Sequence, residues 1–150
     1  PELVQALLER VTATYERFLE AWRPFEHPAD EPYTVHWSLL IRGRMMLRDD
    51  SAMNFSPAMY DTFIAPYDGR LLKRFGGAVH FCGRGDHYID RLSRMEGLTG
   101  IAMSQPEYND MERIFTYTVD RGIPLLGFNR NAADEALARG RDLRGRVHTG

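Results

Sequence analysis

The chain alternates between short apolar runs and longer stretches in which apolar residues recur at helical spacing. Gly77-Ala78-Val79 runs into His80-Phe81-Cys82-Gly83, and Leu98 to Met103 runs into Ser104-Gln105. Ile123 to Phe128 runs into Asn129-Arg130, and Met45-Met46-Leu47 runs into Arg48-Asp49-Asp50. Runs this short and apolar read as strands buried on both faces. Each gives way to polar residues, and most are followed by a helical pattern. Strands alternating with helices imply βαβ units and a parallel sheet. In barrels of that kind the working residues sit at the C-terminal ends of the strands. The polar residues closing each run therefore mark a candidate active-site rim.

The helical stretches are delimited by local chemistry. Glu2 to Phe25 places Leu3, Ala6, Leu7, Val11, Tyr15, Phe18, Leu19 and Trp22 at helical spacing, and Pro24 closes it. Pro28 to Pro32 reads as a loop. Tyr33 to Leu47 holds one or two extended pieces. Ser56-Pro57 is a helix start, with Ser as N-cap and Pro in the first turn. Met59, Tyr60, Phe63, Ile64, Tyr67, Leu71 and Leu72 follow on one face, and Pro66 should kink or divide that helix. Gly76-Gly77 ends it. Helices are then expected over Asp86–Met95, Glu107–Asp120 and Asn131–Arg139, the last with Asn131 as N-cap. Gly122 and Gly140 are expected as stops. Arg146-Val147-His148 begins a further strand.

Composition narrows the function. The chain has 150 residues, 43% hydrophobic and 27% charged, which suits a globular domain. A net charge of -2 leaves no footprint for nucleic acid or an anionic membrane. No apolar stretch is long enough to span a bilayer, and no signal peptide is visible. With 1 cysteine there is no internal disulfide, so a reducing cytoplasm is the expected compartment. A closed (β/α)8 barrel needs about 250 residues. The 150 residues here read as one partial domain, part of a longer protein.

Candidate chemistry sits at the run ends. On a strand, His80 and Cys82 point to the same side, and imidazole and thiolate are both zinc ligands. A buried structural Cys beside a hydrogen-bonded His is the alternative. His87, Glu107 or His148 are candidates for a third ligand, and spacing selects none of them. Asp49-Asp50 suits a metal, a proton or a substrate cation, or forms a solvated acidic turn. Gln105 and Asn129 either orient a polar ligand or form turns. Arg84 and Arg130 suit carboxylates or phosphates, or are simply solvated. Gly83-Arg84-Gly85 is too short for a phosphate-binding fingerprint.

Three segments taken together resemble the later part of the uroporphyrinogen decarboxylase superfamily. They are Ser56-Pro57-Ala58-Met59-Tyr60, Ile64-Ala65-Pro66-Tyr67 and Gly77-Ala78-Val79-His80-Phe81-Cys82-Gly83, with Asp49-Asp50 as the preceding acidic turn. The resemblance covers roughly Leu47 to Arg130. It implies an α/β, (β/α)8 TIM-barrel-like fold, of which this chain holds the C-terminal portion. It also implies one of two chemistries. In the first, zinc-dependent methyl transfer runs from a methylated corrinoid carried by a partner protein to a thiol. His80 and Cys82 match that branch's His-x-Cys zinc pair, and its further downstream Cys has no counterpart here. Asp50, Gln105 and Asn129 would position the substrate. In the second, a porphyrinogen is decarboxylated without a cofactor, and Arg84 and Arg130 are the candidates for its carboxylates. The decarboxylase's early catalytic Asp and arginine-rich region have no match in this segment. A third reading is a partial barrel without catalysis, acting only when paired with another chain, as in a homodimer, because it exposes sheet edges.

Overall fold

The structure is a computed structural model that describes residues 1–26 and 31–150. His27 and most of the expected Pro28–Pro32 loop lie outside the described residues. Helix α1 (Glu2–Trp22) leads into a 3-10 turn at Arg23–Phe25, as the pattern up to Pro24 predicts. Strands β1 (Tyr33–His36) and β2 (Leu39–Arg42) form an antiparallel hairpin, with Tyr33 opposite Arg42 and His36 opposite Leu39. Strand β3 (Met45–Arg48) follows. The region expected to hold one or two extended pieces thus holds three. The chain reverses at Trp37, with φ of 52°, and again at Gly43, with φ of 103°. A Cβ on Gly43 would strike the backbone of Gly76 and Gly77, so this turn packs directly on the start of the next strand.

Ser56 caps helix α2 (Pro57–Phe63), its Oγ accepting from the Met59 amide at 3.2 Å. Pro66 does divide the helical stretch, and helix α3 (Ala65–Phe75) follows and closes at Gly76. Then come β4 (Gly77–Phe81), the one-turn helix α4 (Ile89–Leu92), β5 (Leu98–Met103), α5 (Met111–Tyr117), β6 (Leu125–Phe128), α6 (Arg130–Ala138) and β7 (Val147–Thr149). Three expectations need correction. The helix expected over Asp86–Met95 shortens to α4, because its first residues belong to a pinned loop. The helix expected over Glu107–Asp120 shortens to α5 between two 3-10 turns. Asp110 caps it by accepting from the Arg113 amide, and the Thr118 hydroxyl turns back onto the Ile114 carbonyl at 2.7 Å where it ends. The cap of α6 is Asn129 rather than Asn131, its Oδ1 accepting from the Ala132 amide at 3.0 Å.

Strands β3 to β7 form a five-stranded parallel sheet in chain order, so the molecule is mixed α/β. Right-handed crossovers between sequential neighbours carry their helices to one face. Val79, Phe81, Ile101 and Met103 join Leu72, Ile89 and Ile114 in the core on that face. Side chains alternate along a strand. Ala78, His80 and Ala102 therefore face the other way, toward the hairpin. Small residues there let β2 lie close, and the Thr99 hydroxyl donates to the Arg42 carbonyl at 2.6 Å.

Helix α1 buries only part of its apolar stripe: Leu19 is buried and Tyr15 packs against the core. Leu3, Leu7, Val11, Phe18 and Trp22 are exposed, whereas Thr12, Glu16 and Leu19 are buried. Ion pairing sets this choice. Arg70 on α3 grips Glu16 with Nε at 2.9 Å and with a second, shorter contact from Nη2. Arg74 reaches Glu16 at 3.5 Å and Glu20 at 3.2 Å. The charged stripe of α1 is thus turned onto α3. Among the described residues no helix is long and apolar enough to cross a membrane.

Candidate metal centre at the strand ends

Parallel pairing sets Arg48 of β3 beside His80 of β4, and His80 beside Ala102 of β5. The pairing continues one residue further, where the Asp49 amide donates to the His80 carbonyl at 2.7 Å. Asp50 then turns back over the strand ends. Its Oδ1 lies 3.3 Å from His80 Nε2, which in turn lies 3.3 Å from Cys82 Sγ. Nitrogen, oxygen and sulfur donors from three side chains fall within 4.8 Å of one another. His80 is buried, Cys82 is intermediate and Asp50 is exposed, so the cluster opens on one side.

The hairpin roofs the cluster. Trp37, at its tip, meets the His80 ring edge-on at 4.9 Å, and the Arg48 guanidinium lies over the indole at 5.3 Å. Burial lowers the His80 pKa, partly offset by the Asp50 charge, so the imidazole is neutral near pH 7 with a lone pair to offer. Burial pushes the Cys82 thiol up, against a lowering contact from Ser104. The thiol donates toward Ser104 Oγ at 3.7 Å. Without a cation the thiol keeps its proton.

The donor set fits zinc. It supplies three protein ligands of suitable type and leaves one side free, the pattern of a catalytic site. One feature departs from common zinc sites: His80 Nδ1 is buried without a hydrogen-bond partner among the described residues, where an outer acceptor usually fixes the ring. Packing under Trp37 does that instead. Of the proposed third ligands, His87 is engaged elsewhere, its Nε2 lying 2.9 Å from the Phe55 carbonyl. Glu107 and His148 are exposed and outside the cluster. The third donor is Asp50, which sequence spacing could not select.

Of the remaining candidates, Arg84, Gln105 and Asn129 have partners within the chain. Arg84 Nε donates to Asp86 Oδ1 at 2.7 Å. Gln105 Oε1 accepts from the Gly83 amide in a short contact. Asn129 caps α6, and Arg130 is the exposed first residue of that helix.

The residue that sequence reasoning missed is Asn109. Its Oδ1 accepts from the Gly85 and Asp86 amides at 2.7 and 3.0 Å. Its Nδ2 donates to the Gly83 and Gln105 carbonyls at 2.9 and 2.8 Å. The loop that carries Cys82 is therefore pinned to the loop after β5. Asp86 adds to this by accepting from the Asp110 amide at 3.0 Å. Burial would raise the Asp86 carboxyl, but the Asp110 amide and Arg84 outweigh it and hold it low.

The acidic turn splits in two. Asp50 faces the cluster, while Asp49 turns inward. Burial pushes Asp49 up to about 6, the Asp50 charge adding to the effect and the contact with Asp68 opposing it. Burial, and then Asp49 itself, hold Asp68 well above its ordinary value. Burial is the leading cause for both carboxyls. Nearby, the rings of Tyr60 and Tyr88 stack at 4.5 Å, with both hydroxyls buried and without a hydrogen-bond partner among the described residues.

Comparison of the chain with family models, curated proteins and solved structures found no match.

Proposed function

We propose that this chain is the later part of a (β/α)8 enzyme similar to the uroporphyrinogen decarboxylase superfamily, and that it transfers a methyl group from a methylated corrinoid on a partner protein to a thiol. The observation that carries the reading is the convergence of Asp50, His80 and Cys82 at the C-terminal ends of β3 and β4. Active sites of α/β barrels lie at that end of the strands. Strand order supports the barrel reading. Five parallel strands in unbroken chain order suit an arc of a singly wound barrel, whereas a doubly wound sheet reverses order at a switch point. The hairpin lies on the face that would line the lumen, so a closing barrel has to accommodate it there.

Zinc bound by these three side chains would supply a Lewis acid that stabilises a thiol substrate as its thiolate. His80 offers Nε2 as a neutral donor, held in place by Trp37. Cys82 offers Sγ from a loop fixed by Asn109 and Gln105. Asp50 closes the set and lies on the exposed side, where substrate arrives.

Metal content by mass spectrometry, on wild type and on Cys82→Ala, tests the reading. About one zinc per chain is expected in the wild type, and its loss in the variant. Folded wild-type protein that takes up no zinc after add-back would overturn it. Methyl transfer from methylcobalamin to a thiol should follow the zinc content.

A further inference from the structure

Beside the metal centre lies a cavity of about 720 Å³, within the size range of small-molecule sites. Its wall is Val4 and Leu8 of α1, Phe55, and Met59, Phe63 and Ile64 from α2 and its end. Its polar end is Arg48, Asp49 and Asp50. Asp50 thus belongs to both the cavity and the donor cluster. Arg48, the one cation among the described residues lining that end, lies over the Trp37 ring at 5.3 Å and 3.9 Å from Asp50. An apolar body therefore finds complementary walls, and an anionic head meets two carboxyl groups and an arginine that is already occupied.

We infer that this cavity binds the apolar body of the acceptor, a small hydrophobic thiol without a carboxylate or sulfonate, and presents its head to the Asp50 side of the metal centre. The identity of the head group rests on the proposed zinc–thiol reading; the cavity's preference for an uncharged apolar ligand does not. A porphyrinogen bearing many carboxylates does not suit these walls. Apolar pockets with a few convergent polar groups are the usual form of ligand sites.

Heteronuclear NMR titration, following the amides of Ala52, Phe63 and Ile64, separates the two claims. The probes are hexan-1-ol, hexanoate and hexane-1-thiol. In zinc-stripped protein hexan-1-ol should saturate these shifts, and hexanoate should bind at least ~10-fold more weakly, since it brings charge to an acidic end. Val4→Asp and Met59→Asp alter partly exposed wall positions and should each weaken hexan-1-ol about 10-fold while the remaining spectrum stays folded. Absent saturation, hexanoate equal to hexan-1-ol, or variants that bind as wild type would overturn the cavity assignment. Zinc-loaded protein should prefer hexane-1-thiol to hexan-1-ol by at least ~10-fold, a preference absent from the stripped form. Hexan-1-ol behaving as expected while zinc confers no thiol preference would leave the cavity standing and remove the thiol acceptor.

Discussion

Asn109 makes the most hydrogen bonds to the loop that follows Cys82. It spends all four of its hydrogen-bonding positions on backbone groups of the two loops flanking the site. Asn109→Ala would strand part-buried amides and carbonyls, and each one left unpaired costs about 1–3 kcal/mol. The expected net loss is about 2–3 kcal/mol after water recovers some of them. Urea denaturation reads this directly. An Asn109→Ala protein with wild-type stability would show that the clamp is dispensable. Asn109 was not legible in the sequence, because an asparagine after a proline turn looks like any loop residue. Asp50 was legible only in part. Its acidity and place after an apolar run are visible, but which residue lies beside His80 depends on the register of β3 against β4.

Helices show the opposite balance. Ser56-Pro57, Pro66 and Gly76 are local devices, and each acts in the structure as its chemistry predicts. The orientation of α1 is not local. An apolar stripe declares that a helix has two faces, and says nothing about an arginine 54 residues away that turns Glu16 inward. That pairing gives a pH signature. Hydrogen bonding from Arg70 holds the Glu16 carboxyl below its ordinary 4.5, against burial. A carboxyl depressed in the folded state stabilises fully above its unfolded value, and that contribution drains away as pH falls through the folded one. Stability should therefore decline below about pH 4.5 in wild type. Glu16→Gln should lower stability at pH 7 by about 1–3 kcal/mol and decline less steeply in acid. Parallel pH profiles for the two proteins would refute the assignment.

The alternation of helix and strand was legible across the whole molecule, since each buried strand is a continuous apolar run. The hairpin was not. It packs through small residues, Ala78 and Ala102, that carry no periodic signature. What the fold leaves uncovered is also visible only at this scale. Leu3, Leu7, Val11, Phe18 and Trp22 line the outer side of α1. Among the described residues β3 and β7 each have one strand partner in the sheet. Exposed apolar stripes and open edges promote association. Light scattering over a dilution series should show mass rising with concentration. Leu7→Lys with Val11→Lys should suppress the rise, with an unfolding midpoint near wild type because neither residue is in the core. A constant monomer mass in the wild type would contradict this.

Strand order bears on how such a protein changes over evolutionary time. Because every strand of the main sheet lies beside its predecessor, each βα unit depends chiefly on its immediate neighbours. A duplicated unit joined at the β7 edge would extend the series without reassigning any existing partner. Loss of β4 would remove His80 itself, and loss of β5 would remove the strand paired beside it. Growth is thus cheap at one margin and forbidden in the middle, so chemistry anchored on β3 and β4 can persist while the outer sheet lengthens around it.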